Sequence, residues 1–209
     1  DQDGATGIAI INVGEGGENY ISVIAGSNFR VDVSDVEKGR AALEKARVLL
    51  LQLEVPLEAS LAAAAIVRSH GGTVILDPAP AKDLDASVLK AVDIITPNES
   101  EAGLMLGWQP QTPDEGLKAA RELRARGVRT AVVQLGLEKI LPAFKVTPID
   151  TVAAGDSFNG GLAHALEQGM PLEQALRYAA ACGALSTTKK GAAEAAPTRA
   201  EVEAFLARA

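Results

Sequence analysis

A short run of small residues ending in an acid, Ala153-Ala154-Gly155-Asp156, lies inside the segment Asp150-Thr151-Val152-Ala153-Ala154-Gly155-Asp156-Ser157-Phe158-Asn159-Gly160-Gly161. This segment joins an extended piece ending near Val146 to a helix expected over Gly155 to Gln168. Small residues at a helix start let a ligand approach the backbone closely. The N–H groups of the first turn have no intrahelical acceptor and, with the helix dipole behind them, they bind anions such as phosphate. Asp156, in the same first turn, could accept a proton from a hydroxyl that attacks phosphorus. Spacing alone leaves a plain capping role for Asp156 open, because acidic first-turn residues are common.

Three other acids draw attention. Glu54 follows the apolar run Leu49-Leu50-Leu51-Gln52-Leu53, which puts it at the C-terminal edge of a strand, where open parallel sheets bind ligands; a surface carboxylate is the alternative. Asn98 and Glu101, in Pro97-Asn98-Glu99-Ser100-Glu101, have the spacing of a helix capping box. Asp150 reads on its own as a turn residue.

The elements that must position these groups alternate along the chain. Apolar runs of strand length occur at Val48 to Leu53, Thr73 to Asp77, Asp93 to Thr96 and Thr130 to Leu135. Helical stripes lie between them at Leu57 to Ser69 and Asp114 to Arg126. This alternation predicts an α/β protein with a mostly parallel sheet covered on both sides, a three-layer αβα sandwich. Two segments, Thr6 to Val13 and Glu18 to Ala25, flank Gly14-Glu15-Gly16-Gly17 and predict a β-hairpin, either a lid or a dimer surface. From Gly155 onward the pattern is helical, with helices over Gly155 to Gln168, Leu172 to about Thr187 and Thr198 to Ala207, the last two introduced by Pro171 and Pro197-Thr198.

Composition narrows the function classes. The chain has 209 residues, 47% of them hydrophobic, enough for a substantial core. Its 20 Lys and Arg against 27 Asp and Glu give a net charge of -7, so nucleic acid and anionic membrane are not expected partners. A single cysteine, Cys182, and two distant histidines, His70 and His164, exclude an internal disulfide and a multi-cysteine zinc site. No apolar run is long enough to span a bilayer, and Asp1-Gln2-Asp3 is unlike a signal peptide, so a cytoplasmic protein is expected. Neither a Walker phosphate loop nor a dinucleotide-binding glycine fingerprint occurs.

Ordered blocks over nearly the whole chain resemble the ribokinase-like (PfkB) sugar kinases: Thr6-Gly7-Ile8-Ala9-Ile10-Ile11 with Ala25-Gly26-Ser27-Asn28, Leu51-Gln52-Leu53-Glu54-Val55-Pro56, Asp77-Pro78-Ala79-Pro80-Ala81, Ile95-Thr96-Pro97-Asn98-Glu99-Ser100-Glu101-Ala102, Asp150 to Gly161, and Lys189-Lys190-Gly191-Ala192. The resemblance implies ATP-dependent phosphorylation of D-ribose at its 5-hydroxyl. Asp156 would be the base, and Ala153, Ala154 and Gly155 the anion hole. Glu54, Asp156 and the lid residues Ala9, Ile11 and Ile21 would bind the sugar. Asn98, Glu101, Gln134, Leu135, Gly136, Gly155, Asp156 and Ala180 would face ATP, with Glu101 holding magnesium through water. The resemblance also places a monovalent cation, potassium, at Asp150, Val152, Ser186, Lys189, Gly191 and Ala195, mostly through backbone carbonyls, and a homodimer through the β lid.

The chain departs from the pattern at several places. Gln134 stands where these kinases usually have Thr, Ala180 where many have Asn, and Ala195 where a hydroxyl is frequent. No Gly-Gly sugar motif precedes the lid, and the stretch from Gly136 to Leu141 is short. The expected organisation is a lid segment over residues 1–28 and the C-terminal part of a kinase core over 29–209. Alternatives are a kinase of the same family acting on fructose, adenosine or another nucleoside, and a non-catalytic sugar or nucleotide binder.

Overall fold

Apolar, β-branched residues at Ile8–Val13 and Asn19–Ile24 form two antiparallel strands, β1 and β2. Residues 4–13, 19–135 and 144–208 are described by the structure, a computed structural model; the glycine turn expected at 14–17 lies outside them. The register sets Ala9 opposite Val23 and Ile11 opposite Ile21. Side chains alternate along a strand, so Ala9, Ile11, Ile21 and Val23 share one face and Ile8, Ile10, Ser22 and Ile24 the other.

The described residues form two compact units that meet in sequence between Gln134 and Leu135. In the first, the hairpin and a 3-10 turn over Gly26–Arg30 lead into α1 (Val33–Lys38) and α2 (Arg40–Leu43). Both helices are too short to show a stripe in the sequence. Asp32 starts α1 by accepting the Ser34 and Asp35 amides at 2.7 and 3.1 Å, a capping contact rather than a periodicity signal. Then follow β3 (Val48–Leu51), α3 (Leu57–Ser69), β4 (Thr73–Leu76), α4 (Ala86–Ala91), β5 (Ile94–Ile95), α5 (Glu99–Leu106), α6 (Pro113–Ala125) and β6 (Thr130–Ala131).

The strands form one parallel sheet in the order β3-β4-β5-β6. They are shorter than the apolar runs in the sequence because the chain leaves the regular ladder while pairing goes on residue by residue. Beyond β6, Val132 donates to the Ile95 carbonyl and Gln134 to that of Pro97, at 2.9 and 2.8 Å. Val74 and Leu76 join Val67, Leu89, Ile95 and Leu123 in the main core, while Ile75, pointing the other way, is also fully buried. Burial on both faces explains why β4 reads as a continuous apolar run. Each such Leu or Ile contributes about 1.5–3 kcal/mol by leaving water.

The second unit is helical, as the sequence predicts. It contains α7 (Ala154–Glu167), α8 (Leu172–Ser186) and α9 (Arg199–Leu206), with a 3-10 turn over Ala193–Ala195. Helices α7 and α8 approach closely because Gly161 has no side chain: a Cβ there would lie 2.6 Å from the Cys182 Sγ. Among the described residues no helix is long and apolar enough to cross a membrane.

Candidate active site

The start of α7 is built without a side-chain cap. Its N-cap is Ala153, whose methyl cannot accept a hydrogen bond and whose backbone is left-handed, φ 60° and ψ 20°. Among the described residues Ala153 is the one non-glycine residue with positive φ, a conformation that costs an L-residue roughly 1–2 kcal/mol. The Ala154 amide donates to the Thr151 carbonyl at 3.3 Å, and regular helix bonding begins with Ser157 donating to Ala153 at 2.9 Å. Between them lies Gly155, whose amide has no acceptor inside the helix. A Cβ on Gly155 would meet nothing within 4 Å, so the first turn is open to an incoming group.

Asp156 occupies the third helical position, not the cap, and is exposed. It lines a cavity of about 560 Å³ that follows one face of α7 through Ser157, Gly160 and His164 and is also lined by Tyr178, Cys182 and Arg199 among others. A carboxylate, the open first turn and a cavity therefore coincide in the second unit.

The segment leading into α7 is fixed by Asp150. One carboxylate oxygen accepts the Val152 amide at 3.0 Å and the other the Gly191 amide at 3.1 Å. These two bonds, Val152 first, hold the Asp150 carboxyl below its ordinary range. The Thr187 carbonyl accepts the Ile149 and Asp150 amides at 2.7 and 3.1 Å. Thus Asp150, Val152 and Gly191, expected to share a cation, are joined directly. The Lys189 amide donates to the Ser186 carbonyl at 3.2 Å, and Ser186 and Ala195 are fully buried. Ala180 lies half-buried on α8.

In the first unit Asn98 caps α5. Its Oδ1 accepts the Glu101 amide at 2.8 Å, and Glu101 Oε2 accepts the Asn98 amide at 2.9 Å. The capping box that the spacing allows is therefore formed. It employs one oxygen of each side chain and does not involve Asn98 Nδ2 or Glu101 Oε1. Burial pushes the Glu101 carboxyl up, partly offset by the Asn98 amide. A parallel bridge sets Gln134 beside Asn98, and the Gln134 side-chain amide donates to the Thr96 carbonyl at 2.8 Å. Two residues expected to face ATP are thus adjacent. Glu54 stands half-buried just past the end of β3. There the Leu53 amide donates to the Ala79 carbonyl at 2.9 Å, fixing the turn that carries it. Leu135 is half-buried, and Gly136 lies outside the described residues.

Two contributors escape a reading of the sequence. The Thr187 carbonyl is a backbone group and leaves no signal. Glu201 completes a capping box with Thr198, a spacing visible as Thr-x-x-Glu, but its contact with Lys189 at 2.8 Å links positions with no regular offset.

Comparison with known proteins places the chain in a family. A family model described as pfkB family carbohydrate kinase matches residues 1–199. The chain is 38% identical over 214 residues to the ribokinase of Haemophilus influenzae, an overlap of 98% of this chain and 70% of that protein. Among solved structures, the ribokinase of Thermotoga maritima matches with a TM-score of 0.83 and 36% identity, covering 97% of this chain and 70% of the other. The Arabidopsis thaliana ribokinase complexed with ribose and ATP matches with a TM-score of 0.83 and 29% identity over 98% and 70% of the two chains. The α/β fold is that of these sugar kinases. Match and fold together show that the chain belongs to the pfkB family of carbohydrate kinases, phosphotransferases that act on a sugar hydroxyl.

Proposed function

We propose that the chain carries the phosphoryl-transfer site of an ATP-dependent kinase that converts D-ribose to ribose 5-phosphate. The observation that carries this reading is that Asp156 and the uncapped helix start at Ala153 line one cavity, with the open Gly155 between them in the chain. Asp156 takes the proton of the 5-hydroxyl as its oxygen bonds to the γ-phosphorus. The bond from that phosphorus to the bridging oxygen breaks, and ADP leaves. The amides of Ala153 and Gly155 receive the charge on the moving phosphoryl group, with Ala154 contributing once its long bond to Thr151 gives way. The transition state is loose, so the proton can leave late and an ordinary carboxylate suffices.

Glu54 binds the sugar hydroxyls, and Ala9, Ile11 and Ile21, which share one hairpin face, cover the sugar and exclude water. Asn98, Glu101, Gln134, Leu135, Gly136 and Ala180 contact ATP. Asn98 and Glu101 fit a magnesium–nucleotide site, since Nδ2 and Oε1 stand outside their capping box and a carboxylate oxygen suits a hard cation. Magnesium, when bound, neutralises charge on the β- and γ-phosphates. Asp150, Val152, Ser186, Lys189, Gly191 and Ala195 would hold potassium, mostly through backbone carbonyls, and the ion would steady the loop before α7. Replacing potassium by tetramethylammonium at equal ionic strength should lower turnover.

The two apolar faces of the hairpin, with Ile10 50% and Ile21 57% exposed, favour a homodimer through the lid. Light scattering should give twice the monomer mass. A cytoplasmic setting fits a user of ATP with one free thiol. The assay that tests the function measures ADP release with ATP, magnesium and a panel of D-ribose, 2-deoxyribose, fructose and adenosine. Ribose should have the highest kcat/KM; preference for fructose or adenosine assigns another substrate, and no turnover with any of them leaves only a binding protein.

A further inference from the structure

The loop that aims α7 is held from a direction that the reaction itself does not require. Glu201, on α9, divides its carboxylate between two tasks. Oε2 accepts the Thr198 amide at 2.7 Å and the Thr198 hydroxyl at 2.9 Å, closing the start of its own helix, while Oε1 receives the Lys189 ammonium at 2.8 Å. Lys189 stands three residues past the end of α8, and two residues further Gly191 donates to Asp150. The other oxygen of Asp150 holds Val152, next to the left-handed Ala153 from which α7 springs. A path of hydrogen bonds and chain links therefore runs from Glu201 to Lys189, along the backbone to Gly191, and through Asp150 to Val152, next to the N-cap of α7.

The pair is exposed, with Lys189 at 36% and Glu201 at 44% of full accessibility, and exposed pairs add little stability. Position is a different matter. A displacement of about 1 Å at the reacting group can cost about 10²-fold in rate, and the first turn of α7 follows directly on the segment that Asp150 ties to Gly191.

We propose that Glu201 is a positioning residue for phosphoryl transfer, holding the 187–191 loop through Lys189 and so setting the start of α7. The proposal rests on the reading of that helix start as the transfer site. Glu201 would touch neither sugar nor nucleotide.

The test uses the full-length protein. Glu201→Gln keeps a residue able to close a capping box but removes the charge that grips Lys189. With ribose, ATP and magnesium, kcat should fall about tenfold while the sugar KM stays within about twofold. Lys189→Met should give a similar loss, and the double variant should be no worse than either single one, as coupled residues require. Amide hydrogen exchange over 150–156 should quicken in Glu201→Gln, with that over α3 unchanged. An active wild type whose Glu201→Gln variant keeps full kcat, or losses that multiply in the double variant, would overturn the proposal. A wild type inactive on every sugar refutes the kinase reading instead; exchange over 150–156 then still decides whether Glu201 orders this loop, and no change there overturns the positioning role.

Discussion

Ala153 and Cys182 show what the second unit imposes on single residues, a strained backbone at one and a thiol kept protonated at the other. Ala153 accepts a left-handed backbone that glycine adopts without penalty. Ala153→Gly should therefore raise stability by about 1 kcal/mol in urea unfolding; a loss would mean that the methyl makes a compensating contact. Cys182 is 6% exposed, and burial pushes its thiol from an ordinary 9.0 up to about 11. Between those two values the unfolded thiol has lost its proton and the folded one has kept it, so unfolding releases a proton and stability falls as pH rises. The expected slope is about 1.4 kcal/mol per pH unit relative to Cys182→Ala; equal slopes would show that the thiol ionises normally. Below pH 9 this group adds no pH dependence.

At the scale of elements, the sequence was most legible where a pattern is long. The helix expected over Leu57 to Ser69 and those from Leu172 and Thr198 fall within a residue or two of their observed limits, because several turns of periodicity and a defined start act together. Helices α1 and α2, of six and four residues, are set by capping and tertiary packing, which no short window reveals. The Asn98 to Glu101 spacing left a capping box open, and the structure forms one; a role for the same two side chains toward ATP is not written in that spacing, since the box uses half of each. Close approach of helices is equally hidden. Gly161 meets Cys182 so tightly that Gly161→Ala should cost about 1–3 kcal/mol in thermal or urea unfolding. Adding Cys182→Ala removes the Sγ contact at 2.6 Å but leaves the Cβ at 2.9 Å, so it should restore only part of that loss; full recovery would place the strain at the sulfur alone.

For the whole molecule, the alternation of strands and helices was enough to foresee a parallel α/β sheet, and burial of β4 on both faces explains why the signal was strong. The parts of the site that the sequence exposes are those with unusual composition: a run of small residues before an acid, and a carboxylate just after a strand. Backbone carbonyls such as that of Thr187, and links such as Lys189 to Glu201, have no composition to betray them. All these contacts converge on one claim, that Asp156 and the bare amides beside it move a phosphoryl group onto a sugar hydroxyl. Turnover of Asp156→Asn in the full-length protein, measured beside calorimetric binding of ribose, tests it most directly. Turnover should fall by about 10²–10⁴-fold with the ribose Kd nearly unchanged, whereas a variant that still phosphorylates ribose at the wild-type rate would contradict it.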